Sequence, residues 1–121
     1  MNYNKKDHYH QKAKKEGYLA RSAYKLQEIQ QKFHLIKPKA KVLDLGCAPG
    51  AWTQVALQII GEKGIVVGVD LEQVTLQDPR FRFLQRDAFT LEASDLTEAP
   101  FDVVLSDMAP KTSGVKIRDH A

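Results

Sequence analysis

The change of apolar period near residue 41 constrains this chain more than any other feature. Before it, Leu19, Ala23, Leu26, Ile29 and Phe33 recur at helical spacing. A helix is therefore predicted from about Gly17 to Phe33. Lys37-Pro38-Lys39 is expected to end it, because proline disfavours helix in the residue before it. After the change, Lys41–Gly46 is a short apolar strand running into a glycine-bearing turn. Trp52, Val55, Ala56, Ile59 and Ile60 then mark an amphipathic helix, with Gly61 and Gly64 at its end. Ile65–Asp70 is a continuous apolar run, the pattern of a strand buried on both faces of a parallel sheet. Phe81 and Phe83 alternate with Arg80, Arg82 and Gln85, which predicts a third strand nearer an edge. Residues 88–97 have room for a short helix, and Phe101–Asp107 reads as a fourth strand. Strands alternating with helices predict an open α/β sheet, with strand order 3-2-1-4.

Ligands of such sheets bind beyond the carboxyl ends of the strands. Those ends read Asp44-Leu45-Gly46, Val69-Asp70, Arg86-Asp87 and Ser106-Asp107. Four strands thus deliver a carboxylate at or near one edge. The first turn, Gly46-Cys47-Ala48-Pro49-Gly50, has the small residues that let a backbone approach a ligand closely. It lacks both the Gly-x-Gly-x-x-Gly spacing of dinucleotide sites and the Gly-Lys-Ser/Thr of a P-loop, which disfavours a pyrophosphate on the helix N-terminus. Asp70 stands where a carboxylate accepts both hydroxyls of a ribose, and Asp87 where one accepts from an adenine amine. A ligand with ribose and adenine but no pyrophosphate is S-adenosyl-L-methionine. On the turn alone NAD stays open, as does a purely structural role: Gly46 and Gly50 also suit any tight turn, Asp70 a loop cap, and Trp52 a core position.

Charge is distributed unevenly. Residues 1–41 carry eleven Lys and Arg against three Asp and Glu, a balance of +8, within a chain whose net charge is +3. A basic arm ahead of a mildly acidic body suits a protein that grips a polyanion, although a solvated tail shows the same charge. Cys47 is the sole cysteine, so no internal disulfide forms and a reducing, cytoplasmic compartment is expected. His8, His10, His34 and His120 lack metal-ligand spacing, and no metal is expected. No apolar run approaches the ~18 residues of a membrane span.

Arg21-Ser22-Ala23-Tyr24-Lys25-Leu26, Asp44-Leu45-Gly46-Cys47-Ala48-Pro49-Gly50-Ala51-Trp52 and Ser106-Asp107-Met108-Ala109-Pro110 resemble the FtsJ-like (RrmJ-like) RNA 2′-O-ribose methyltransferases. The likeness runs from about residue 17 to residue 121, and 107–114 looks most like the bacterial ribosomal RNA members. Ala51 departs from it, since many relatives have a second glycine there. The resemblance implies a Rossmann-type methyltransferase sheet, with Gly46, Gly50, Trp52, Asp70, Asp87 and Asp107 binding S-adenosyl-L-methionine. It implies a Lys-Asp-Lys-Glu tetrad, of which Lys25 matches the first lysine and Asp107 the aspartate. The implied substrate is RNA, most closely a uridine of large-subunit ribosomal RNA, with transfer RNA or a non-catalytic cofactor- or RNA-binding fragment as alternatives.

Two segments are expected, a basic lead-in over 1–16 and a methyltransferase domain over 17–121. Four strands are fewer than the roughly seven of a full sheet, and the second lysine and the glutamate belong to later strands. The expectation is an incomplete domain, truncated after the fourth strand, without turnover by these 121 residues alone.

Overall fold

The structure is a computed structural model that describes residues 5–107. Helices α1 (Lys5–Glu16) and α2 (Ala23–Phe33) precede strand β1 (Lys41–Leu45), which leads into helix α3 (Ala51–Ile60). Strands β2 (Ile65–Asp70), β3 (Phe81–Gln85) and β4 (Val103–Ser106) follow. All strand pairs are parallel, in the order β3-β2-β1-β4. The Rossmann-type α/β arrangement read from the sequence is therefore present.

Val42, Val66 and Leu105 face α2 and α3, where Ala23, Leu26, Val55, Ala56 and Ile60 close the main core. The opposite face, built on Leu43, Val67 and Val69, is covered by residues 88–101. That segment makes only short 3-10 turns at Ala88–Thr90 and Ala93–Asp95. Ion pairs from Arg82 to Glu98 and from Arg86 to Asp95 tie it to β3. As the continuous apolar run requires, Val66, Val67 and Val69 are fully buried. Each such side chain contributes about 1.5–3 kcal/mol by leaving water. A Cβ on Gly68 would lie 2.7 Å from the Phe81 ring and 2.8 Å from Cys47 Sγ, so β2 passes too close for any larger residue. Cys47 fills that contact.

Three details differ from the sequence pattern. Residues 5–16 form a helix that no apolar period announces, because its exposed surface is polar almost all round. The helix predicted from Gly17 starts instead at Ala23, and Leu19 lies 42% exposed in the connection. Phe33, at the other end, is 65% exposed rather than core. Helix α2 is stopped by His34, whose left-handed conformation lets its N–H close onto the Gln30 carbonyl, before Pro38 is reached. Among the described residues no helix is long and apolar enough to cross a membrane.

Candidate functional site

The carboxyl ends of the strands converge around the turn between β1 and α3. Gly50 adopts φ +114, a left-handed conformation that the turn needs and that side chains with a Cβ resist. The N–H groups of Gly46 and Cys47 both bond to the Val69 carbonyl, at 2.7 and 3.1 Å, pinning the turn to the end of β2. Asp70 reinforces this. Its Oδ2 accepts from the Ala48 N–H at 2.8 Å and its Oδ1 from the Glu72 N–H at 2.9 Å. The Arg86 N–H then bonds to the Asp70 carbonyl at 3.0 Å, lacing the end of β3 to the end of β2. Asp87 caps the turn after β3, its Oδ1 accepting from the Phe89 N–H at 2.9 Å.

Register separates the four aspartates. Leu45 pairs with Val69 and with Ser106, which sets Asp70 and Asp107 one residue beyond those rungs, level with Gly46. Asp44 pairs with Gly68 and Leu105, two residues deeper. The four carboxylates read from the sequence at or near one edge thus lie at different depths, Asp44 deeper than Asp70 and Asp107. Asp44 is 1% exposed and shares the α3 face with Val42. Its Oδ2 accepts from Thr53 Oγ1 at 2.8 Å, while Oδ1 has no hydrogen-bond partner among the described residues. Burial pushes this carboxyl up to about 7 against the lowering bond from Thr53, and the nearby Asp107 and Asp70 charges add to the rise. The strand's alternation could have signalled this, since Asp44 has the same parity as the core residue Val42.

A tight cleft opens above Asp44. Ser22, Gly46, Cys47, Ala48, Pro49, Trp52 and Asp107 line it with Asp44 and Ala51. Partial desolvation raises the Asp107 carboxyl, and Lys25 on α2 acts in the opposite direction. Asp107, Gly46 and Trp52 thus share the cleft, while Lys25 stands outside its lining, near enough for its charge to act on Asp107. Trp52 is buried in the core, as its helical spacing suits, and donates from Nε1 to the Ser22 carbonyl at 2.7 Å. Gly50 stands outside the lining, and a Cβ there would meet Leu19 at 3.2 Å, so its part is to shape the turn. Asp70 and Asp87 lie outside it too, farther along the same edge. Cys47 is buried and its thiol is pushed up to about 12, first by that burial, which leaves it without nucleophilic character.

Two apolar residues on this edge were not singled out from the sequence. Leu71 follows Asp70 and is 67% exposed, and Phe89 follows Asp87 by two and is 63% exposed. Their position directly after the strand-end acids is the signal that would have found them. A wider hollow lined by Leu76, Gln77, Asp78, Pro79, Phe81 and Phe83 contains none of the predicted site residues.

A cleft at the carboxyl edge of a parallel sheet, beside a glycine turn, is where Rossmann-type α/β domains bind their ligands. Comparison with known proteins makes this specific. The model of the FtsJ-like methyltransferase family matches residues 18–121, and the chain belongs to that family. It is 49% identical over 126 aligned positions to ribosomal RNA large subunit methyltransferase E of Bdellovibrio bacteriovorus, and 52% identical over 125 to that of Syntrophobacter fumaroxidans. Each alignment covers 100% of this chain and 64% of the relative, so the chain spans about two thirds of the length of these curated relatives, marginally less. A crystal structure from Plasmodium falciparum, described as a ribosomal RNA methyltransferase, superposes with a TM-score of 0.68 at 32% identity. That likeness covers 85% of this chain and 63% of the other.

Proposed function

We propose that the protein to which this chain belongs transfers a methyl group from S-adenosyl-L-methionine to a ribose 2′-hydroxyl of RNA, with a uridine of large-subunit ribosomal RNA as target. The observation that carries the reading is the cleft itself. A buried carboxylate with an unpartnered oxygen faces, with Asp107, a space walled by the Gly46–Gly50 turn and bordered by Lys25. An acceptor-rich cavity of this kind fits a cationic group. The names of the relatives supply the RNA.

The residues present fit the cofactor. Asp107 and Asp44 face its ammonium end, and Gly46 and Gly50 keep the turn close. Trp52 fixes the wall at Ser22. Asp70 accepts from the ribose through lone pairs beyond those used by Ala48 and Glu72. Asp87 accepts from the adenine amine, with Leu71 and Phe89 supplying apolar surface beside the base. The cofactor provides an electrophilic methyl group on a sulfonium. The chain must align the ribose oxygen and remove its proton. Lys25 orients that hydroxyl and, as a cation, favours the neutral form of a neighbouring lysine base. Residues 17–121 serve as the methyltransferase domain and 1–16 as its basic lead-in, in a cytoplasmic protein.

The basic arm grips the RNA backbone. Lys12, Lys14, Lys15, Arg21 and Lys25 are all exposed on α1, α2 and the connection between them. Each phosphate they neutralise contributes a slope of about −0.7 to −0.9 to the log–log dependence of affinity on salt.

The test is methyl transfer by the full-length protein to large-subunit ribosomal RNA, compared with transfer RNA and with target RNA carrying a 2′-deoxy nucleotide. Incorporation into ribosomal RNA alone, lost with the 2′-deoxy target and with RNA affinity falling steeply in salt, is expected. Preference for transfer RNA, or methylation that survives removal of the 2′-hydroxyl, would overturn the reading.

A further inference from the structure

The connection between α1 and α2 is held by side chains of α3, the helix that begins at the cofactor turn. Gln54 Oε1 accepts from the Leu19 N–H at 2.8 Å, and Gln54 Nε2 donates to the Gly17 carbonyl at 3.1 Å. One turn farther along, the Tyr18 hydroxyl donates to Gln58 Oε1 at 3.1 Å and accepts from Gln27 Nε2 of α2 at 2.7 Å. Trp52 closes the far end on the Ser22 carbonyl. The Gln54 carboxamide therefore reads the backbone on both sides of residue 18, as a neighbouring strand would.

Helix α1 also meets α2 directly: burial raises the Tyr24 hydroxyl, and Glu16 lies close enough to add to the rise. Ala13 is buried, the Tyr9 ring lies 5.8 Å from that of Tyr24, and Lys12 Nζ sits 4.8 Å above the same Tyr24 ring. Gly17, where α1 ends, takes φ +85, and the Tyr18 N–H closes onto the Ala13 carbonyl at 2.8 Å, so α1 is fixed to residue 18 and follows whatever holds the residues around it.

We propose that Gln54 is a positioning residue for the RNA substrate, clamping the end of the basic helix α1 onto the helix that begins at the cofactor turn. The inference rests on the RNA-methyltransferase reading above. Phosphates held by α1 and the ribose held near Lys25 then keep one separation. A carboxamide suits the task, since it offers a donor and an acceptor on one planar group. Glutamate would keep the bond to Leu19 but set a charge against the Gly17 carbonyl. Alanine would free both backbone groups. Both bonds are solvent-exposed, so water replaces them at small cost to folding, and loss of position separates from loss of fold.

The experiment uses the full-length protein and its Gln54→Ala and Gln54→Glu variants, with steady-state methyl transfer to RNA, calorimetry with S-adenosylhomocysteine, and thermal melting. KM for RNA is expected to rise about tenfold in both variants, the size of one or two misplaced charge-assisted contacts. The value of kcat at saturating RNA and the affinity for S-adenosylhomocysteine should stay within about twofold. An unchanged KM for RNA in an active protein would overturn this inference alone. A KM that rises only together with weakened S-adenosylhomocysteine binding and a lowered melting point would also overturn it, by showing a purely structural role. Absence of RNA methylation by the wild type would overturn the functional reading and this inference with it.

Discussion

The two ends of the sheet treat their polar groups in opposite ways. At the amino end the charges next to the strands, Lys41, Asp102, Asp78 and Arg80, all have partners. Asp102 Oδ2 accepts from the Lys41 N–H at 2.8 Å, the Asp102 N–H returns a bond to the Lys41 carbonyl, and Lys41 Nζ donates to the Glu98 carbonyl. Arg80 pairs with Asp78 through two nitrogens and donates from Nη1 to the Leu57 and Gly61 carbonyls, satisfying the end of α3. At the carboxyl end, Asp44 is buried with an unpartnered oxygen, Asp107 is raised, and Leu71 and Phe89 project into solvent. The amino end is closed for stability. The carboxyl end, although Asp70 and Asp87 are engaged there, keeps an unpartnered acceptor and exposed apolar side chains, as the proposed ligand site would need.

Mutations at the open carboxyl edge should therefore cost function, the buried Asp44 should make stability depend on pH, and mutations at the amino end should cost stability. The largest effect is expected for Asp107→Asn in the full-length protein, which should lower kcat for RNA methylation by about 10²–10³-fold with little change in melting temperature. A loss below tenfold would place the chemistry elsewhere.

Asp44 comes next, and its effect depends on pH. Its carboxyl titrates near 7 in the folded chain, above the unfolded value of about 3.9, so the native state holds the extra proton between those limits. Stability from this group is full below about pH 4 and is lost as pH rises toward 7. Asp44→Asn should remove that loss, so that wild type weakens relative to the variant by up to about 1.4 kcal/mol per pH unit in the window. Parallel stability curves for the two proteins from pH 4 to 7 would contradict the burial argument.

The smallest effect belongs to the amino end. Arg80→Met should destabilise the fold by about 1–3 kcal/mol, as expected when hydrogen bonds to a charged group are lost. Affinity for S-adenosylhomocysteine should stay within about twofold. Weakened binding at unchanged stability would erase the contrast between the two ends.

The sheet was legible in the sequence because buried parallel strands are continuous apolar runs, as in Ile65–Asp70, and because the glycine turn marks where β1 becomes α3. The strand-end acids were legible as a set, but their depths were not. One residue of register decides whether a carboxylate is solvated or buried, and pairing depends on partners distant in sequence. Helix α1 escaped notice because it buries little beyond Ala13, so no period forms. The break at residues 17–22 was hidden because Leu19 continues the helical spacing. What holds that break is a glutamine 35 residues away, and spacing within one segment has no way to show it.

Asp70 is proposed to hold S-adenosyl-L-methionine at the carboxyl edge. Calorimetry of S-adenosylhomocysteine with the full-length protein and with Asp70→Ala, both verified as folded by circular dichroism, tests it most directly. Saturable one-to-one binding that weakens by about 10–100-fold in the variant is expected, the cost of hydrogen bonds to a charged acceptor. Equal affinity in the two proteins, or no binding by the folded wild type, would contradict it.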